Sequence, residues 1–207
     1  MTRRLISAAC AAIVSVLCLN AQGGREDALQ KLSSRLSEGT ARFGYSFRTK
    51  DSQTPFAGEG TAAISGLCYR LVGNGLDIRC DGKTRYTADP ASGEMVIEDA
   101  GSLEGGDVDF LSNPAVILKN VGSSFKVSGT SAQGGKVLYR LTPLHDKFIE
   151  VLTLEFAGEL PVKGSLSMQD GSSIEFTISG FEFTSQIFPW TFTKEELAGY
   201  GSITDLR

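Results

Sequence analysis

Acid–base chemistry at neutral pH usually needs a histidine, and this chain has one, His145. It follows Pro143-Leu144 in a stretch that reads as a loop. No G-x-S-x-G, H-E-x-x-H or phosphate-loop pattern occurs anywhere in the chain. A single loop histidine without a nucleophile or a second ligand is ordinarily a surface residue. The reading is therefore not an enzyme, with no catalytic residue, no metal ligand set and no cofactor. A second chemical candidate is the acidic run Glu98, Asp99, Glu104, Asp107 and Asp109, which holds no basic residue. Its carboxylates are hard oxygens of the kind calcium takes, but the spacing matches no EF-hand loop. A solvated loop or a partner-facing patch are the other readings of such a run. The third candidate is the pair Cys68 and Cys80. Counted outward from Asn74, they stand opposite one another on adjoining strands. In an oxidising compartment they could form a disulfide, although directly opposed strand cysteines make strained bridges, and two buried thiols are the alternative.

The elements that must position these residues are mostly strands. From Leu76 to Ile97 the chain makes three short runs of alternating apolar and polar residues. Leu76, Ile78 and Cys80 alternate with Asp77, Arg79 and Asp81, Arg85–Ala88 returns, and Met95–Ile97 follows. Asp81-Gly82 and Asp89-Pro90-Ala91-Ser92-Gly93 supply the turns between them. Phe43, Tyr45 and Phe47 mark an earlier strand, and the glycines of Gly58-Glu59-Gly60 suit a bend or bulge in the next. Leu67–Val72 follows and turns at Gly73-Asn74-Gly75. Later strands are expected at Phe125–Val127, Val137–Leu141, Phe148–Phe156, Leu166–Met168 and Ile174–Ile178. In the long one, Phe148, Leu152, Leu154 and Phe156 share a face. An aromatic tail, Phe188, Trp190 and Phe192, leads to a last strand at Ser202–Leu206 that could close the sheet.

Two helices are expected. Gly23–Gly39 carries Leu29, Leu32 and Leu36 on one narrow face. Asn113-Pro114 begins, and Gly122 ends, a short helix whose face is Val116, Ile117, Leu118 and Val121. The sum is a mainly β fold, an antiparallel sheet with a few helices in one domain over 22–207.

Residues 1–21 read as a signal peptide. Arg3 and Arg4 precede the uncharged apolar run Leu5–Leu19, and Ala21 offers a cleavage point. The run is short for a membrane span, and neither Cys10 nor Cys18 sits in a good lipobox. An exported, soluble protein that is not membrane-embedded is expected. Without Arg3 and Arg4 the formal net charge moves from −4 to about −6. Such acidity argues against nucleic acid as a partner, because a phosphate backbone needs basic residues. It also supplies no basic patch for an anionic membrane surface.

The strand ending in Asp81-Gly82-Lys83-Thr84, the aromatic Tyr86, Asp89-Pro90 and the returning strand together resemble the periplasmic outer-membrane lipoprotein carrier family (LolA-like). The resemblance runs from the Leu29 helix to Asp205-Leu206-Arg207 and is best from Gly58-Glu59-Gly60 through Asp89-Pro90. The segment from Asp109-Phe110 to Leu118 looks like the family's short mid-chain helices. The resemblance implies a strongly curved antiparallel sheet forming an unclosed half-barrel, with a helical lid over an apolar concave face. It implies a periplasmic monomer that shields the acyl chains of lipoproteins, taking them from an inner-membrane release complex to an outer-membrane acceptor. A binding module for another lipid or apolar ligand, and a partner-sensing regulatory protein on the same fold, are the alternatives. On this reading Leu29, Leu32, Leu36, Phe110, Val116, Ile117 and Leu118 belong to the lid. They meet Phe43, Tyr45, Phe47, Ile78, Met95 and Ile97 on the sheet. Many family members carry an arginine before a proline shortly after the G-x-G strand, tied to lid closure. Here Ile64-Ser65-Gly66-Leu67 stands in that place, and Arg70 is the nearest basic residue.

Overall fold

Among the described residues, alternation and turn chemistry produce twelve strands, and these join in one sheet. The computed structural model describes residues 28–50, 55–100, 121 and 124–207. The strands are β1 (Thr40–Lys50), β2 (Ala57–Ser65), β3 (Cys68–Gly73), β4 (Leu76–Cys80), β5 (Thr84–Asp89), β6 (Glu94–Asp99), β7 (Phe125–Gln133), β8 (Lys136–Pro143), β9 (Ile149–Ala157), β10 (Leu160–Met168), β11 (Ser173–Thr184) and β12 (Ser202–Asp205). Their order across the sheet is β12-β6-β5-β4-β3-β2-β1-β11-β10-β9-β8-β7. Every neighbouring pair is antiparallel except β12, which lies parallel to β6. The last strand therefore extends the sheet at one end, and β7 ends it at the other. The sheet stays an unclosed half-barrel, and β12 does not close it.

Local chemistry sets the registers. The β3–β4 hairpin turns on two residues, Asn74 at φ 53° and Gly75 at φ 82°. Positive φ at both central positions is what a type I′ turn requires, and Asn-Gly is the pair that tolerates it best. The turn thus closes on Gly73 and Leu76, one residue away from a loop centred on Asn74. As a consequence Tyr69, not Cys68, opposes Cys80. A one-residue offset sends side chains to opposite faces. Cys80 is buried in the main core, whereas Cys68 is half-buried on the other side, and both are thiols. The expected face-to-face cysteine pair is corrected on this ground. At the β4–β5 turn, Asp81 Oδ1 accepts from the backbone N–H of Lys83 and Thr84 at 2.9 and 2.8 Å, as an Asx turn does.

The glycines of β2 make no bulge. Gly60 is needed because β2 and β3 approach closely. A Cβ there would lie 2.3 Å from the Val72 carbonyl oxygen and 2.8 Å from Tyr45 Oη. A bulge does occur in β9. Met168 pairs with Ile149 and Ser167 with Val151, so Glu150 is extra. That switch brings Ile149 into the core and leaves Phe148 exposed, against the expected face of Phe148, Leu152, Leu154 and Phe156. The other three are fully buried.

The sheet buries its inner face and, over β4–β6, part of its outer one. The inner one carries the large core: Phe43, Tyr45, Phe47, Ile64, Tyr69 and Leu71 from one half of the sheet, Tyr139, Leu152, Leu154, Phe156, Leu166 and Phe176 from the other. Residues 28–38 form a helix on this face, with Leu29, Leu32 and Leu36 in the same cluster. A separate, smaller cluster of Ala88, Met95, Ile97 and Phe192 lies on the outer face, with Tyr86, Leu197 and Tyr200 against it. It forms because the chain after β11 comes back over β4–β6 before β12. A short helix, Lys194–Leu197, lies in that strap, capped by Thr193 and Glu196 in a reciprocal capping box.

Candidate apolar binding face

Pairing registers show which side chains share the inner face. Phe43 opposes Ala62, Ala62 opposes Leu71, Leu71 opposes Ile78, Ile78 opposes Thr87 and Thr87 opposes Val96. Among the described residues, the buried side chains on this face are aliphatic, aromatic or cysteine. The two buried residues of polar or charged type, Arg79 and Thr84, belong to the outer face. At β5 and β6 the inner face carries charge, with Arg85 paired to Glu98 at 2.8 Å. The result is a broad apolar floor with an ion pair near one end.

The structure brings together most of the sheet and helix residues expected at the site. Leu29, Leu32, Leu36, Phe43, Tyr45 and Phe47 are buried in one cluster, and Ile78 is partly buried against it. Phe43 stacks on Phe181 at 5.3 Å between centroids, and Phe47 leans on Phe56 at 5.4 Å. Met95 and Ile97 are different. They oppose Ala88 and Tyr86, sit on the outer face, and pack under Phe192. Their expected place on the concave side is corrected, because in β6 it is Val96 that aligns with the inner row. Phe110, Val116, Ile117 and Leu118, and the acids Glu104, Asp107 and Asp109, lie outside the described residues. Val121, from the same expected helix face, is buried in the inner cluster. Glu98 and Asp99 are strand residues of β6 rather than a loop.

The helix over the inner face is fastened along its length. Lys31 Nζ pairs with Glu159 at 3.1 Å. The Arg35 guanidinium lies 3.6 Å from the Phe183 ring centre. The Leu36 carbonyl accepts from the Gly66 N–H at 3.0 Å. Arg70, the basic residue nearest to the missing Arg-Pro, faces the other way. It donates from Nε and Nη2 to Asp77 at 3.0 and 2.8 Å on the outer face, so it takes no part in covering the apolar floor.

Sequence reasoning missed a buried charge cluster on the outer face. Arg79, 4% exposed, donates to Asp77 at 2.9 Å, to Glu196 at 3.0 Å and to the Thr191 carbonyl at 2.9 Å. Its guanidinium also covers the Phe192 ring at 3.7 Å. Burial pushes the Asp77 carboxyl up, but hydrogen bonds from Arg70 and Arg79 outweigh it and hold the group below the usual range. Glu196 is lowered by the Thr193 backbone N–H and then by Arg79. In β4, Arg79 alternates with Ile78 and Cys80 and so reads as solvent-facing. The legible signal was the T-x-x-E pattern at Thr193–Glu196, a capping box that fixes a helix start within the aromatic tail. Among the described residues no cluster of three or more His, Cys, Asp or Glu could hold a metal ion. No helix among them is long and apolar enough to cross a membrane.

No family model matches the chain, and no curated protein does. Among solved structures the chain is similar to a LolA superfamily protein from Nitrosomonas europaea, at 10% identity and a TM-score of 0.44, covering 81% of this chain and 97% of that one. It is similar to an outer membrane lipoprotein-sorting protein domain from Vibrio parahaemolyticus, at 11% identity and a TM-score of 0.47, covering 83% and 97%. A DUF1329 family protein from Desulfovibrio piger is alike at 10% identity and a TM-score of 0.47, covering 84% and 98%. These likenesses are distant, and function has to come from this chain's own side chains.

Proposed function

We propose that the protein is an exported, monomeric carrier that shields the acyl chains of a lipoprotein against the apolar inner face of its half-barrel, in the periplasm, on the way to the outer membrane. The observation that carries the reading is the segregation of polarity. The buried positions of the inner face hold hydrocarbon, rings and one cysteine, while the buried guanidinium is kept on the opposite face. An acyl chain gains about 0.8 kcal/mol for each CH₂ it buries, so such a surface can hold it without a polar contact. Release follows from competition. The helix over residues 28–38 is pinned by Lys31, Arg35 and Leu36. The segment from Phe110 through Val116, Ile117 and Leu118 to Val121 is the cover that exchanges with cargo. When it occupies the floor it lowers the net affinity for the chain and lets the cargo pass on. No bond is made or broken, and no cofactor takes part.

The test is displacement. A naphthalene sulfonate dye should bind the protein with enhanced emission, and a triacylated lipopeptide should remove it competitively while the same peptide without acyl chains does not. Ile117→Asp should leave the floor uncovered and raise dye binding in the folded fraction. A dye that finds no site in either form, or that the lipopeptide does not displace, would leave the inner face as ordinary core.

A further inference from the structure

After β11 the chain crosses the outer face as a strap, and from Thr184 to Thr193 it carries no charged residue. Two arginines hold this stretch near its ends. Arg42 Nη1 donates to Gln186 Oε1 at 3.2 Å, and Arg79 Nη1 donates to the Thr191 carbonyl at 2.9 Å. Between these anchors stand Ile187, Phe188, Pro189 and Trp190. Beyond them Phe192 is buried in the outer cluster, and the capping box of Thr193 and Glu196 starts the short helix. The apolar tip is thus held out by ordered contacts on both sides. Ile187 is 92% exposed, the most exposed large apolar side chain among the described residues. Pro189 is exposed too, while Phe188 and Trp190 are half-buried, their ring centres 5.8 Å apart. Val72, itself exposed, lines the same shallow depression as Phe188 and extends the patch over β3.

Shape and charge together choose the occupant. A side chain as open as Ile187 has almost no neighbours in its own chain. A protein partner could bury it only with a pocket shaped to receive it, whereas hydrocarbon closes round any projecting tip. The charged groups beside the strap already have partners: Arg42 has Glu182, Arg70 has Asp77, and Arg79 has Asp77 and Glu196. The patch therefore favours an uncharged surface. An aliphatic tip next to a tryptophan, with Thr184, Ser185 and Gln186 before it and Thr191 and Thr193 after it, suits the boundary between headgroups and acyl chains. There the amphipathic ring stays at the interface and the aliphatic side chain goes below it.

We infer that the strap tip Ile187-Phe188-Pro189-Trp190 is a reversible membrane anchor that enters the interface of a neutral lipid bilayer. The molecule meets the membrane with the side of the sheet opposite its inner face, whether or not that inner face holds cargo.

Trp190 is the chain's single tryptophan, so its emission reports on the tip. Vesicles of dioleoylphosphatidylcholine should shift that emission to the blue saturably, and the same lipid brominated on its acyl chains should quench it. Both effects should persist in about 0.5 M salt, because no charge attraction is involved. Ile187→Ser has few contacts to lose, so it should fold as the wild type by circular dichroism and partition about tenfold more weakly. Leu144→Ser, at an exposed apolar position on the β8–β9 loop, should partition as the wild type. Loading with a triacylated lipopeptide, read by mass spectrometry of the protein, should be the same for the wild type and Ile187→Ser, which separates the tip from the inner face. The inference is overturned if the vesicles leave Trp190 unchanged, which would make the tip a docking point for a protein. It is also overturned if binding needs anionic lipid or is lost in salt, if Ile187→Ser partitions as the wild type, or if Leu144→Ser loses as much.

Discussion

Replacing Arg79 by Met tests whether the strap is held by the buried charge cluster. The Met side chain keeps the apolar contact with Phe192 and removes the guanidinium. Breaking a buried ion pair from one side costs about 3–5 kcal/mol, because the remaining charge is left without its partner. Here Asp77 keeps Arg70, and Glu196, with its side chain 40% exposed, can turn to water. Those two facts put the ion-pair loss near the lower bound, about 3 kcal/mol. The Thr191 carbonyl loses its donor, about 1 kcal/mol, and the stack on Phe192 goes, about 0.5–2 kcal/mol. The expected total is about 4.5–6 kcal/mol. For a chain of this size each kcal/mol lowers Tm by roughly 2–4 °C, so the fall should be at least about 9 °C. Calorimetry and urea unfolding followed by Trp190 emission measure it. Arg79→Lys should rescue little, since an ammonium cannot engage Asp77 and Glu196 as a planar fork. In a double-mutant cycle, Arg79→Met with Glu196→Gln should show a coupling of about 0.5–3 kcal/mol. A loss under about 1 kcal/mol, or full rescue by lysine, would refute the claim that this cluster fastens the strap.

Gly60→Val should cost at least the upper end of the ~1–3 kcal/mol typical of overpacking, because its Cβ meets the Val72 carbonyl oxygen at 2.3 Å; urea unfolding reads it. Ile149→Ala should cost about 2–5 kcal/mol while Phe148→Ala stays within about 0.5 kcal/mol, and the reverse order would mean that the Glu150 bulge is misplaced. Glu175 is held down to about 2 by Lys50 and Arg48. Since the folded value lies below the ordinary 4.5, its contribution is complete above that pH and is lost as pH falls toward 2. Carbon-13 NMR of the Glu175 carboxylate should show it still ionised at about pH 3 at low salt, with the midpoint moving up in 1 M salt.

The sequence by itself determined the strands, most of their turns and the apolar stripe of the first helix. These rest on local physics: side-chain alternation in β1, β4 and β11, Asn74, Gly75 and Gly82 at positive φ, and the 3.6-residue spacing of Leu29, Leu32 and Leu36. Alternation divides a strand into two faces but does not say which one is inside. In β6 both Met95 with Ile97 and the face with Val96 are plausible, and the choice is set by register passed across β1–β5 from Phe43. The cysteine register turned on a single residue, because a two-residue turn rather than one centred on Asn74 moves every opposed pair by one. Only tertiary structure decided that Arg79 would be buried, since the residues that cover it, Phe192 and Glu196, lie more than a hundred positions away.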